Sequence, residues 1–345
     1  MHRVVNSTPY AAAIAPAQDR DGGDLAVAVL KATLRFDARG AVSPAPPDAQ
    51  LPVHRADVHH GDPATTSLRW ASDVSPAKAG TDVALAGHAY GRGRREVEAG
   101  LRIGAVEKLV VASGPRVWVA GFPVTVAGPV AFERTPLRWE HAFGGGYEEE
   151  GRGRVAWPDN PVGVGFARAV VDRAPLPSIE LRGARYRALK DRPAPAGLGF
   201  VPAGWRQRAR FAGTFDAAWE RTRRPLLPED LDERFWNTVP QDQVLRPKLQ
   251  GGERLELLNV HPEAERVALG IPRLAFTAAF RVRDGETVLP MTADTLLVEP
   301  DEGRLAITYR AVLPVGDDLR RLQAVFFRAA REPAAAAPRA APRAR

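Results

Sequence analysis

The chain has 345 residues, 45% of them hydrophobic, enough to bury the core of one large or two ordinary domains. It contains no cysteine, which excludes disulfides and thiolate metal sites and fits a reducing compartment. The formal charge of +7 is scattered among 41 acidic residues. Lysine occurs only at Lys31, Lys78, Lys108, Lys190 and Lys248, and no aromatic-interleaved basic stripe marks a nucleic-acid footprint.

The opening residues, Met1 to Pro9, hold no apolar run of signal-peptide length, and no apolar stretch in the chain is long enough for a transmembrane helix. The expectation is a cytoplasmic protein without a membrane partner. Period-two alternation then predicts strands. Leu30, Ala32, Leu34 and Phe36 share one face, with Lys31, Thr33 and Arg35 opposite, and Asp37 to Gly40 supplies turn chemistry. The stretch Asp82 to Tyr90 runs into Gly91-Arg92-Gly93 and predicts a hairpin whose return strand places Val97, Ala99, Leu101 and Ile103 on one side. Leu109 to Val111 and Val117 to Val119, divided at Gly114-Pro115, extend this into an expected meander.

From about residue 120 to 250 the chain is rich in Pro, Gly and Trp, which predicts long ordered loops with short helices. Asp216 is placed to cap one such helix through Trp219 and Glu220, ending near Pro225, and a second is expected from Asp230 through Phe235. Trp139, Trp157, Trp205, Trp219 and Trp236 read as packing beneath these loops. Strands are expected again at 254–260, 274–282 and 304–309. Leu319, Leu322, Val325, Phe326, Ala329 and Ala330 then recur at helical spacing, with Asp317 or Asp318 as cap and Pro333 as stop, and predict a C-terminal helix. From Glu332 onward the Ala/Pro/Arg composition predicts a disordered tail.

Chemistry is harder to find. There is no G-x-S-x-G elbow, P-loop, H-E-x-x-H or calcium loop. His59-His60-Gly61-Asp62 sets two imidazoles beside a carboxylate, but neighbours on a strand face opposite ways, so the pair reads as a polar loop. His141-Ala142-Phe143-Gly144-Gly145-Gly146 looks like a glycine-rich oxyanion loop, yet it lacks a serine nucleophile motif. Asp216, Glu220, Asp230, Asp232 and Asp242 could supply a carboxylate pair for glycan hydrolysis or merely pair with nearby arginines. No catalytic, cofactor or metal residue is assigned.

The same middle region carries a family resemblance. Pro136-Leu137-Arg138-Trp139-Glu140-His141-Ala142-Phe143-Gly144-Gly145, Asp159 to Gly165, and Leu176-Pro177-Ser178-Ile179-Glu180 look like successive motifs of one bacterial family. So do Trp205-Arg206-Gln207-Arg208, Ala212-Gly213-Thr214-Phe215-Asp216 with Trp219, and Arg224 to Asp232. Upstream, Lys31-Ala32-Thr33, Asp73 with Pro76 and Lys78, and Thr81-Asp82-Val83 follow the same order. Over about residues 4 to 310 the chain resembles the DUF2169 family of domains of unknown function. Leu198-Gly199-Phe200 stands where the family often has Gly-Phe-Gly, and Leu231 where Phe is common.

The resemblance implies an adaptor or chaperone of type VI secretion that binds a toxic effector and aids its loading onto the spike. It brings no catalytic residues. The motif residues Trp139, Trp205, Arg208, Gly213, Thr214, Asp216 and Trp219 are the candidates for partner contact, with loop structure as their other use. The expected partners are an effector protein and a spike protein. The alternatives are a carboxylate-based glycan hydrolase and a structural component of the secretion assembly. The expected fold is mainly β: an antiparallel two-sheet core with a loop-rich central insertion and the C-terminal helix. One domain over 1–331, or subdomains at about 1–130 and 131–331, would precede the tail.

Overall fold

A computed structural model describes residues 3–316 and 319–330. The protein is mainly β. Where the sequence suggests two sheets, the described residues build three larger ones, of seven, five and four strands, with five two-stranded ribbons around them. Buried side chains from all three merge into one hydrophobic cluster, including Leu30, Leu34 and Ile307, Leu101 and Leu255, and Phe280 and Phe327.

The seven-stranded sheet runs Val244–Leu245, Thr81–Leu85, Thr292–Glu299, Arg304–Gly316, Asp24–Phe36 and Ala11–Gln18, with Val42–Pro44 beside the end of Asp24–Phe36. Every pairing in it is antiparallel except Thr81–Leu85 with Thr292–Glu299. The alternation over Leu30–Phe36 holds, but its polar face is not a solvent face: Lys31 and Thr33 are buried. Loops cover that side, and the charges there are paired. Lys31 Nζ lies 2.5 Å from Asp73 Oδ2. Lys78 Nζ lies 2.7 Å from Asp82 Oδ2, which also accepts from Thr238 N and Oγ1. Arg310 meets Asp294 at 2.9 Å. Burying an ion costs several kcal/mol unless the pair is well made and hydrogen-bonded, and these pairs meet that requirement. The upstream motif residues Lys31, Asp73, Lys78 and Asp82 thus fasten loops to the sheet.

The expected hairpin across Gly91–Gly93 does not form. Thr81–Leu85 joins the seven-stranded sheet, whereas Glu96–Ile103 lies in the five-stranded sheet between Val106–Ser113 and Arg254–Leu258. His88–Tyr90 pairs with Arg134–Pro136 instead. The meander fails at its far end too, because Val117–Val119 pairs with Thr125–Ala127. Each segment is a strand, but edges distant in sequence offered pairing that local reading cannot rank.

The expected C-terminal helix is a strand. After a 3-10 turn at Leu319–Arg321, Leu322–Ala329 pairs parallel with Arg3–Asn6 and antiparallel with Phe276–Val282. Val325, Phe326 and Phe327 favour a pleated strand, and two strands with open edges satisfy its backbone, so context overrides the 3.6-residue pattern. Asp317, Asp318, Pro333 and the tail lie outside the described residues. Of the short helices expected in the middle region, the first forms, with Asp216 capping Ala217–Thr222, whereas the second, expected from Asp230 through Phe235, shrinks to a 3-10 turn at Glu233–Trp236 capped by Asp232.

Candidate functional site

Because Thr81–Leu85 and Thr292–Glu299 run parallel, both leave the seven-stranded sheet at the same end. Ala86 and Gly87 lead from the first to His88, and a 3-10 turn at Pro300–Glu302 follows the second. A cleft of about 220 Å³ opens there. Its floor is apolar and buried, formed by Leu68, Leu85, Leu137, Trp139, Phe200 and Leu297.

Trp139 is locked in place. Its indole N–H donates to the Phe200 carbonyl at 2.9 Å, and Trp205 meets it edge-on with centroids 5.6 Å apart. Three of the quoted motifs brace this corner. Asn160 Nδ2 donates to the carbonyls of Trp139 and Phe143, Phe143–Gly144 pairs with Val164–Gly165, and Ser178 N donates to the His141 carbonyl. At Gly144, with φ of 150°, a Cβ would come within 2.2 Å of the Asn160 carbonyl oxygen. That close approach explains a glycine, and the Gly145 amide is spent on the same oxygen at 2.8 Å. The loop that looked like an oxyanion cradle is backbone packing.

The two walls of the cleft differ in charge. On one, Glu140 accepts from both Ser67 N and Ser67 Oγ at 2.8 Å, which clamps the loop after His59 to the turn at Trp139–His141. His59 turns to the Thr66 carbonyl while His60 lines the cleft, so the two imidazoles part. Burial, reinforced by the Arg138 charge, pulls the His60 imidazole down to about 4. Arg69 and Arg138 are exposed on this wall. The Arg69 guanidinium lies 4.1 Å from the Trp70 ring centroid, and neither arginine side chain has an ion-pair partner among the described residues.

Opposite, Asp301 accepts from His88 Nδ1 at 2.6 Å and from the Tyr90 hydroxyl at 2.9 Å. Burial and that bond push the Tyr90 hydroxyl up to about 12. Glu299 is occupied by Arg304 at 2.7 Å. Glu302 has no side-chain partner among the described residues. The charges that line the cleft are therefore mixed: two guanidiniums on one wall face the carboxylates of Glu299, Asp301 and Glu302 on the other.

The residues singled out from sequence divide into two places. Trp139 and Trp205 build the cleft corner. Arg208 supports them from behind, buried and donating to the carbonyls of Val201 and Phe235. Burial pulls its guanidinium below the usual arginine range. Gly213, Thr214, Asp216 and Trp219 form a separate arm. Thr214 binds Asp230 through N at 2.9 Å and Oγ1 at 2.7 Å, Asp216 accepts from Trp219 N, and the Trp219 indole donates to Leu226 O. The arm exposes Phe215. Asp242 meets Lys108 at 2.5 Å, and neither it nor Asp216 lines the cleft. Sequence reasoning missed Arg69, His88 and Asp301; they stand in separate segments with no shared spacing, and only Arg138 sat in a quoted motif.

The family described as an uncharacterized protein conserved in bacteria, DUF2169, matches residues 21–310. The chain belongs to that family. No curated protein and no solved structure matches it. In this DUF2169 member the matched residues include both cleft walls and the arm, and no helix among the described residues is long and apolar enough to cross a membrane.

Proposed function

We propose that this DUF2169 protein is a cytoplasmic adaptor that binds a type VI secretion effector and helps to place it on the spike. The observation that carries this reading is that collinear family motifs, far apart in the chain, converge to brace one cleft whose two guanidiniums have no ion-pair partner among the described residues. Rigid scaffolds that display loop-built clefts with unsatisfied arginines suit partner binding. The carboxylates that a glycan hydrolase would have used are otherwise engaged: Asp216 caps a helix, Asp230 holds Thr214, and Asp232 and Asp242 pair with Arg234 and Lys108.

The test is recovery of the tagged protein from its native cytoplasm with mass spectrometry of what remains bound. The reading expects one toxin-like protein in near-equal amount, alone or with a spike component, and loss of only that effector's secretion when the adaptor gene is deleted. Loss of every effector would make the protein a structural part of the assembly. A lone monomer with glycan-hydrolysing turnover would make it an enzyme.

A further inference from the structure

The two-stranded ribbon of Val117–Val119 and Thr125–Ala127 takes no part in the cleft. From Val117 to Phe132 the chain holds no charged residue, although 26% of the sequence is charged. Of the seven large apolar side chains exposed among the described residues, Phe122, Val124 and Val130 belong to this run. A fourth, Val171, lies beside it. Phe122 stands in the turn between the two strands and is wholly exposed. The ribbon beneath it is held in place. Ala120 N donates to Asp172 Oδ1 at 2.9 Å, which sets Val171 next to the turn. Trp118 N donates to Ala174 O at 3.0 Å, Arg173 N donates to Trp118 O at 2.9 Å, and the buried Trp118 ring meets Tyr186 edge-on. An apolar tip displayed on a braced base loses little freedom when it is covered. An uncharged patch around an aromatic side chain has the make-up of an interface centre.

The charges at the margin of the patch choose what covers it. Asp172 and Arg173 are exposed neighbours of opposite sign, and neither side chain has an ion-pair partner among the described residues. Around a two-fold axis such a couple is its own complement, because Asp172 of each copy meets Arg173 of the other. A lipid surface fits less well: one small apolar anchor binds a bilayer only marginally unless a basic patch accompanies it, and here a carboxylate stands beside the tip. We propose that the ribbon tip docks against the same tip of a second copy of this chain. Phe122 of each copy lies on Val124 and Val171 of the other, and the Asp172–Arg173 couples close the rim. The uncharged centre lets two chains of net charge +7 approach. This dimer goes beyond the adaptor reading and does not depend on it. A contact of this size falls below the roughly 1,200–2,000 Å² of stable interfaces, so the dissociation constant should be about 100 µM.

The experiment is sedimentation equilibrium of the full chain from about 5 to about 500 µM. Wild type should pass from monomer to dimer and go no further, since a two-fold contact closes on itself. Phe122→Ser/Val171→Ser should weaken the dimer about ten-fold or more while melting at the wild-type temperature, because both side chains are exposed. Arg173→Glu, which sets like charges across the rim, should weaken it about three-fold or more, and added salt should reduce that penalty. Val288→Ser removes an exposed valine on the outer strand of the four-stranded sheet and should dimerise as wild type does. A monomer throughout the range, a dimer indifferent to Phe122→Ser/Val171→Ser, or equal weakening by Val288→Ser would overturn the proposal. So would a monomer that floats with phosphatidylcholine–phosphatidylglycerol vesicles through Phe122, which would give the tip to a membrane. Recovery of an effector from cells by a chain that stays monomeric would leave the adaptor reading standing and overturn the dimer.

Discussion

Gly197 lies flat against the indole of Trp139: a Cβ built on it would come within 2.2 Å of Cδ2 and 2.3 Å of Cε2. The indole has nowhere to retreat, because Trp205 meets it edge-on and its N–H is held by the Phe200 carbonyl. Cleft shape therefore depends on a residue with no side chain. Gly197→Ala should cost about 1–3 kcal/mol through overpacking and perturb the Trp139 corner. Near-ultraviolet circular dichroism and a denaturant titration check this; an unchanged aromatic spectrum with unchanged stability would show that the corner yields freely.

Asp82 and Lys78 should be unequal partners. Asp82 keeps three other donors when Lys78 is removed: Asn237 Nδ2, Thr238 N and Thr238 Oγ1. Lys78 without Asp82 keeps only the hydroxyls of Thr238 and Thr295 for a buried ammonium. Asp82→Asn should thus cost about 3–5 kcal/mol, the range for breaking a buried pair. Lys78→Met should cost less. Guanidinium denaturation of the two variants tests the order, and the reverse order would mean that the donors around Asp82 do not satisfy it alone.

Legibility from sequence followed the range of the interactions. Strand identity was local and readable at Leu30–Phe36 and Val97–Ile103, because alternation is written within each segment. Pairing was not: Thr81–Leu85 meets Thr292–Glu299 more than 200 residues away, and nothing in either segment names the other. The buried charges show the same limit. Lys31 and Thr33 look like a solvated face until the loop carrying Asp73 folds over them. Of the cleft, the motif residues Arg138 and Trp139 were visible, whereas Arg69, His88 and Asp301 gained meaning only when topology gathered them.

The C-terminal strand gives a sharp test of that limit. Both patterns, helix and strand, place Val325 on the apolar side. Only the strand buries Phe327 completely while leaving Arg328 exposed. Phe327→Ala should destabilise by about 3–5 kcal/mol, the usual cost of emptying a buried aromatic site. Arg328→Ala should stay within about 0.5 kcal/mol. Equal and small effects would favour a helix lying loosely on the surface.

The final prediction concerns pH. The His60 imidazole titrates near 4 in the folded protein, against about 6.5 in an unfolded chain. Between those values the unfolded state binds more protons, so His60 favours unfolding progressively as pH falls from about 6.5 to about 4. Above that window it contributes no pH dependence, and below it the loss is complete. Partial exposure keeps its slope under the ceiling of about 1.4 kcal/mol per pH unit. His141, also pulled down by burial, adds in the same direction from the same side of the cleft. Denaturant stability measured from pH 7 to pH 4 should therefore fall less steeply for His60→Gln than for wild type, and less steeply still when His141→Gln is added. Parallel curves for all three proteins would show that the cleft stays solvated enough to leave both imidazoles at ordinary values. The apolar floor of the cleft would then be wet.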